Sequence, residues 1–294
     1  MSAVGYIKYN SVIKKILREC LDVDENIQHV EKIGDGRQSE VFKIVFSEKK
    51  LTLAIKVYKC VNSNTKEILE NEYKLLKIAN ELFCSKHYKG WKFDSPKPYL
   101  KCEKYHSIIM YYVDGVTLSS LLCNRKLPTC LIKEIAHAVA NGMMLYWHNN
   151  KQLIGDVNLN NIICDIKNNK ITFIDLGIPN KHFYCAGIEK NHYPESRDIG
   201  YFLFETCILI VKKRLTLNKG GEDLEKFIEI YLDYIFSKLN TAYRVQFLSE
   251  TIACASFHEK RVGNKFTLFY VWHKLLKYLI KKCIFKKSNH LSIR

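Results

Sequence analysis

Glycine and proline are scarce in this chain, 13 and 5 of 294 residues, which argues against a collagen-like, low-complexity or disordered polypeptide. None of the 11 cysteines stands in a CxxC pair, and no Cys/His cluster has metal-ligand spacing. Neither a structural zinc nor a disulfide framework is therefore expected. The cysteines read as reduced thiols of a cytosolic protein, mostly small core residues. The N-terminus lacks the uninterrupted apolar stretch of a secretory signal and reads instead as a short amphipathic helix over Val12–Leu17. The longest apolar window, Phe266–Phe285, carries His273, Lys274, Lys277, Lys281 and Lys282, too many charges for a simple membrane span. No internal repeat is present. Acidic residues are in deficit, 30 against 46 Lys and Arg, leaving a net charge of +16 that favours acidic partners.

What is present is ordinary globular material, 47% hydrophobic and 26% charged, enough for one large domain or two lobes. The stretch from His29 to Cys60 reads as three strands, with "GDG" in the first turn and "SEKK" in the second. In "LTLAIKV" the period-2 pattern puts Leu51, Leu53, Ile55 and Val57 on one face and Thr52, Ala54 and Lys56 on the other. A helix follows over about 65–82. The segment from Lys86 to Gly115 reads as a loop and two strands. Helices then begin at "GVTLSSLL" and at "PTCLIKEIAHAVANGMMLYWHNN", before the strand "ITFID" and a long helical remainder.

Several residues in this order carry chemistry. "GDGRQSEV", Gly34 to Val41, can bring backbone N–H groups close to phosphate oxygens without an intervening Cβ. On the "LAIK" strand, small Ala54 leaves room for a flat base and Lys56 can reach phosphate. That lysine needs a carboxylate to fix it. Glu72 shares the inward helix face with Leu69, Leu75 and Leu76, so it must find a partner, whereas Glu70, four residues before Lys74, reads as a solvated helix pair. Further on, "LIGDVNLNNIICD" supplies Asp156 and Asn161, five apart, and Asp175 follows 19 residues after Asp156. A carboxylate to orient an acceptor hydroxyl and oxygen ligands for Mg²⁺ are what phosphoryl transfer requires.

At this point the chain resembles the protein-kinase-like superfamily. "GDGRQSEV" looks like its glycine-rich loop, "LAIK" its lysine strand, and "NEYKLLK" the helix with the paired glutamate. "IIMYYVDGVTL" is similar to its hinge, with Met110 at the gatekeeper position and Tyr111 to Val113 at the base edge. "LIGDVNLNNIICD" resembles its catalytic loop, "FIDLG" its metal-binding strand end, and "RDIGYFLFE" the helix whose Asp198 ties the loop backbone. The resemblance covers about residues 33–205.

It implies an α+β, two-lobe fold with a β-rich first lobe over 26–113 and a mainly helical second lobe over 114–294, preceded by a helical extension over 1–25. It implies ATP and Mg²⁺, with Gly34 and Gly36 cradling phosphates and Val41 and Ala54 enclosing the base beside Met110 and Tyr112. Lys56, held by Glu72, would contact phosphates. Asp156 would orient the acceptor, and Asn161 and Asp175 would hold the metal.

The sequence departs from protein kinases in three places. Ile154 stands where the loop histidine is usual, Asn158 where a lysine is usual, and only 23 positions separate Asp175 from Asp198. Such features are similar to compact bacterial effector kinases and to lipopolysaccharide-core, choline and aminoglycoside kinases. A Ser/Thr hydroxyl of a protein is the leading acceptor, a sugar or small molecule the alternative, and a catalytically idle binding module the third reading. The basic C-terminal helix reads as packed on the second lobe or as lying on an anionic membrane. A specific nucleic acid is not expected, and the cytosol, of the producing cell or of another, is the expected compartment.

Overall fold

The structure is a computed structural model that describes residues 10–21, 27–36, 38–47, 51–59, 65–150, 153–176, 194–215 and 221–238. The basic C-terminal segment singled out above lies outside them. The chain divides into two units, Met1–Glu81 with Ser95–Asp114, and Leu82–Asp94 with Gly115–Arg294.

The first unit is built on an antiparallel sheet. β1 (Ile27–Asp35) pairs with β2 (Ser39–Phe46), and β2 with β3 (Thr52–Tyr58). β3 then pairs with β7 (Ser107–Tyr111), and β7 with β6 (Pro98–Cys102). Alternation along the strands decides what each face does. Phe42, Ile44, Phe46, Leu53, Ile55 and Ile109 point to one face, where Ile13, Ile16 and Leu17 of α1 (Asn10–Leu21) pack against them. That helix is longer than the six residues expected, because its apolar stripe continues through the partly buried Cys20 and Leu21. Lys56 projects to the opposite face, where Glu72 of α2 (Thr65–Phe83) meets it.

The expectation of reduced thiols is corrected at one site. Cys20 of α1 and Cys102 of β6 are disulfide-bonded, with their Cα atoms 6.7 Å apart. Their separation of 82 residues is why spacing gave no hint of it.

The second unit contains a second sheet, ordered β4 (His87–Tyr88), β5 (Trp91–Asp94), β10 (Lys170–Phe173), β9 (Ile162–Asp165) and β8 (Val116–Thr117). Four of its strands were not expected from sequence: β4 and β5 lie in the stretch read as a loop, β8 lies in "GVTLSSLL", read as the start of a helix, and β9 is "IICD" at the end of the Asp/Asn-rich stretch. Each is too short to show a period. β5 and β10 pair in parallel through Phe93 and Ile171, an association that only the tertiary fold creates.

Helices form the rest: α3 (Leu118–Asn124), capped by the Thr117 side chain, α4 (Thr129–Asn150), α5 (Pro194–Leu215) and α6 (Gly221–Lys238). α4 is apolar on most of its surface and is buried accordingly. Gly142 lets it approach β10, because a Cβ there would sit 2.6 Å from the Phe173 ring. Phe202 of α5 and Tyr231 of α6 bring their rings within 5.0 Å, and Tyr231 donates its hydroxyl to the Met143 sulfur of α4. Among the described residues no helix is long and apolar enough to cross a membrane.

Candidate active site

In the first unit the glycine turn closes the β1–β2 hairpin. The Gly36 N–H donates to the Ser39 carbonyl at 2.9 Å, and Gly34 lies opposite Val41, whose side chain a Cβ at Gly34 would crowd at 3.3 Å. Asp35, at the centre of the turn, is gripped by Lys32 and Lys59, whose hydrogen bonds pull its carboxyl down to about 2. Lys32 also pairs with Glu40 across the hairpin at 2.6 Å. The turn is therefore tied at its base by charge pairs, most of them well exposed and each worth little alone.

Behind the hairpin, Ala54 lies opposite Met110 in the β3–β7 ladder, and both side chains are buried. Lys56 Nζ is 2.7 Å from Glu72 Oε1, and the two residues are 8% and 5% exposed. At that depth each charge is tolerable only because of the other. Glu72 has a second donor that sequence reasoning missed, the hydroxyl of Tyr58 on its other carboxylate oxygen. Glu70 pairs with Lys101 of β6 rather than with Lys74 as its spacing suggested, a strand–helix contact that no helical periodicity can reveal. Tyr112 spends its N–H on the Thr52 carbonyl at 3.0 Å and places its ring under Lys43, 4.1 Å from the Nζ. Its N–H is thus committed to the sheet, and its ring and carbonyl are what remain for a ligand.

In the second unit the loop from Leu153 to Asn161 is set by hydrogen bonds to both its backbone and its carboxylate. Asp198 of α5 is buried and accepts three of them: Ile154 N–H at 2.7 Å, Gly155 N–H at 3.2 Å and the Trp147 indole N–H at 2.7 Å. Burial pushes its carboxyl up to about 7, although the three donors pull the other way. Gly155 has a φ of +101°, a conformation that side chains resist, and so lets the chain turn directly into Asp156.

The Asp156 carboxylate is then held at both oxygens. Asn158 donates its side-chain amide to Oδ1 at 3.2 Å, and Asn161 donates to Oδ2 at 3.3 Å and to the Asp156 carbonyl at 2.7 Å. Asn161 also accepts the Ile174 N–H at its own carbonyl, at 2.9 Å, and so links the loop to the chain just before Asp175. Asp175 is half-buried with φ +56°, a left-handed conformation that aspartate tolerates better than most residues.

Oxygen donors suit Mg²⁺, and this cluster supplies them. The Asn161 amide nitrogen is turned to the Asp156 carbonyl, which leaves its Oδ1 as the atom that could face a metal, and Asp175 follows Ile174, whose N–H is bonded to the Asn161 carbonyl. Glu205 of α5 is a further acidic neighbour: burial pushes its carboxyl up, and the charge of Asp156 adds to that. Trp147, Asn158 and Glu205 were not read as site residues from sequence. Asn158 alone left a signal, as a departure at a loop position next to the aspartate.

The sequence model of the protein kinase domain matches residues 27–186, more than half of the chain. No curated protein matches the chain. Two solved structures of the PknI kinase domain of Mycobacterium tuberculosis, both mutant forms, are similar at 18% identity. One covers 60% of this chain and 70% of its own with a TM-score of 0.41, the other 62% and 73% with a TM-score of 0.40.

Proposed function

Because the chain belongs to the protein kinase domain family, and is therefore an ATP-dependent phosphotransferase, we propose that it transfers the γ-phosphoryl group to a Ser or Thr hydroxyl of a protein. The observation that carries this reading is the Asp156 carboxylate, fixed at both oxygens by amides on a loop whose backbone is anchored to Asp198. A carboxylate so held can accept a hydrogen bond from an acceptor hydroxyl and aim its oxygen at phosphorus with little reorganisation.

Lys56, steadied by Glu72, binds phosphate oxygens. Gly34 and Gly36 present backbone N–H groups to them, and Val41, Ala54, Met110 and Tyr112 surround the base. Asn161 and Asp175 hold Mg²⁺, which when bound neutralises charge on the triphosphate. The division into a helical extension over 1–25, a first lobe over 26–113 and a second lobe over 114–294 belongs to the same proposal. ATP as substrate favours action in a cytosol, and the net charge of +16 favours acidic acceptors or an anionic surface.

A second reading, transfer to a sugar or other small molecule, is favoured by Asn158 in place of the lysine usual at that position and by the short interval to Asp198. Incubation with γ-labelled ATP, Mg²⁺, casein and an aminoglycoside separates the two. Label on casein that disappears in Asp156→Asn supports the first, and label on the aminoglycoside alone supports the second. Transfer to casein that survives Asp156→Asn unchanged removes Asp156 from the mechanism.

A further inference from the structure

We propose that Tyr58 is a positioning residue for the nucleotide lysine: its hydroxyl anchors Glu72 so that the Lys56–Glu72 pair is assembled by the sheet itself. The inference rests on the reading of Lys56 as the phosphate-binding group. Tyr58 stands two residues after Lys56 on β3, so both side chains leave the same face toward α2. Lys56 takes Oε1 of Glu72 and Tyr58 takes Oε2, and Tyr58 is itself 7% exposed. The strand under the tyrosine is fixed, since the Tyr58 N–H donates to the His106 carbonyl at 3.1 Å and the residue lies opposite Ser39 in the ladder.

The chemistry of the two donors differs, and the difference suits a working site. Lys56 must share its ammonium with phosphate when a nucleotide arrives, which weakens its hold on Glu72. A carboxylate at this depth with a vacated oxygen would be costly. The phenol is a neutral donor with no part in binding phosphate, so it keeps Glu72 bonded while leaving the carboxylate charge intact for Lys56. One further contact holds α2 to the same sheet, the pair of Glu70 with Lys101 of β6, and the Asn80 amide donates to the Ser95 carbonyl at 3.2 Å, in the segment that leads into β6.

Tyr58→Phe, Glu72→Gln, the double variant and Lys56→Met are compared by initial rates of ADP release with Mg-ATP and casein, and by urea unfolding. Tyr58→Phe is expected to lower kcat/KM for ATP roughly tenfold, the size of one hydrogen bond to a charged group, and to lower the urea midpoint as well, because Oε2 of the buried Glu72 loses its donor, while the protein stays fully native under assay conditions. In the Glu72→Gln background the same change is expected to have little further effect. Losses that multiply in the double variant, or a rate loss accounted for by an unfolded fraction under assay conditions, mean the tyrosine is structural and overturn the proposal. Wild-type rates in Tyr58→Phe overturn it too, and if Lys56→Met is then inactive the reading of Lys56 still stands. Wild-type rates in Lys56→Met instead overturn that reading, and the Tyr58 proposal with it.

Discussion

Replacing Trp147 by Phe removes one of the three donors on Asp198 and leaves an aromatic ring in place. The lost bond is 2.7 Å long and buried. Its worth depends on the charge of its acceptor, about 1.5–3 kcal/mol on an ionised carboxylate and about 0.5–1.5 kcal/mol on a neutral one. The smaller ring adds about 1 kcal/mol of packing loss at any pH.

The two protonation states of Asp198 therefore lose different amounts, by about 1.4 kcal/mol, which equals one pKa unit. With its native carboxyl raised to about 7 from an ordinary value of 3.8, Asp198 is protonated in the folded chain while ionised in the unfolded one across that interval. Its contribution to stability is complete below pH 4 and is lost as pH rises through 7. Without the indole the native value rises to roughly 8, so stability keeps falling where the wild type has levelled off.

Urea unfolding followed by circular dichroism at pH 5.5 and 8.5 measures both proteins. The expected gap is about 1.5–2.5 kcal/mol at the lower pH and wider by about 1.4 kcal/mol at the higher. The acid limb of phosphotransfer should move up by about one unit, because an ionised Asp198 holds the Ile154–Gly155 backbone. An equal gap at both values of pH would refute the reasoning, since the indole would then not be bonded to a titrating carboxylate.

Other expectations are as direct. Asn158→Ala should leave folding intact yet lower kcat about tenfold, the size of one lost hydrogen bond to the Asp156 carboxylate, and a steady-state assay with saturating ATP would show it. Gly142→Val should cost about 1–3 kcal/mol in urea unfolding, because the added methyls meet the Phe173 ring. Gly155→Ala should cost about 1–3 kcal/mol of backbone strain at φ +101° and depress transfer more than stability, which paired kinetics and unfolding would separate. Reduction of Cys20–Cys102, or Cys20→Ser, should lower unfolding free energy by about 2–4 kcal/mol, since the bridge closes an 82-residue separation, and unfolding with and without dithiothreitol checks this.

The architecture was legible wherever a period or a spacing ran long enough. The clean alternation of "LTLAIKV", the helix bearing Glu72 and the long apolar α4 all left patterns over seven residues or more. The helical period also put Glu72 rather than Glu70 inward, and in the structure Glu72 is the residue that meets Lys56. Two-residue β4 and four-residue β5 and β9 have no period to read, and they exist because the second sheet pairs them. Within the candidate site, the residues tied to a motif were visible and those acting across the fold were not. Trp147 lies 51 positions from the aspartate it serves, and Tyr58 lies 14 from its glutamate with nothing in its neighbours to mark it.

The bridge between α1 and β6 has a mechanical consequence. A pull on the N-terminal end of α1 is delivered through Cys20 straight to Cys102, across the sheet from the strand that follows the helix in sequence. Load thus bypasses the β1–β2 hairpin, which can open no further than the covalent ring allows until the bridge is cut. Under tension the glycine turn and the strand bearing Lys56 are sheltered inside a closed loop, and a reductant turns that same pull into a force that peels α1 from the sheet.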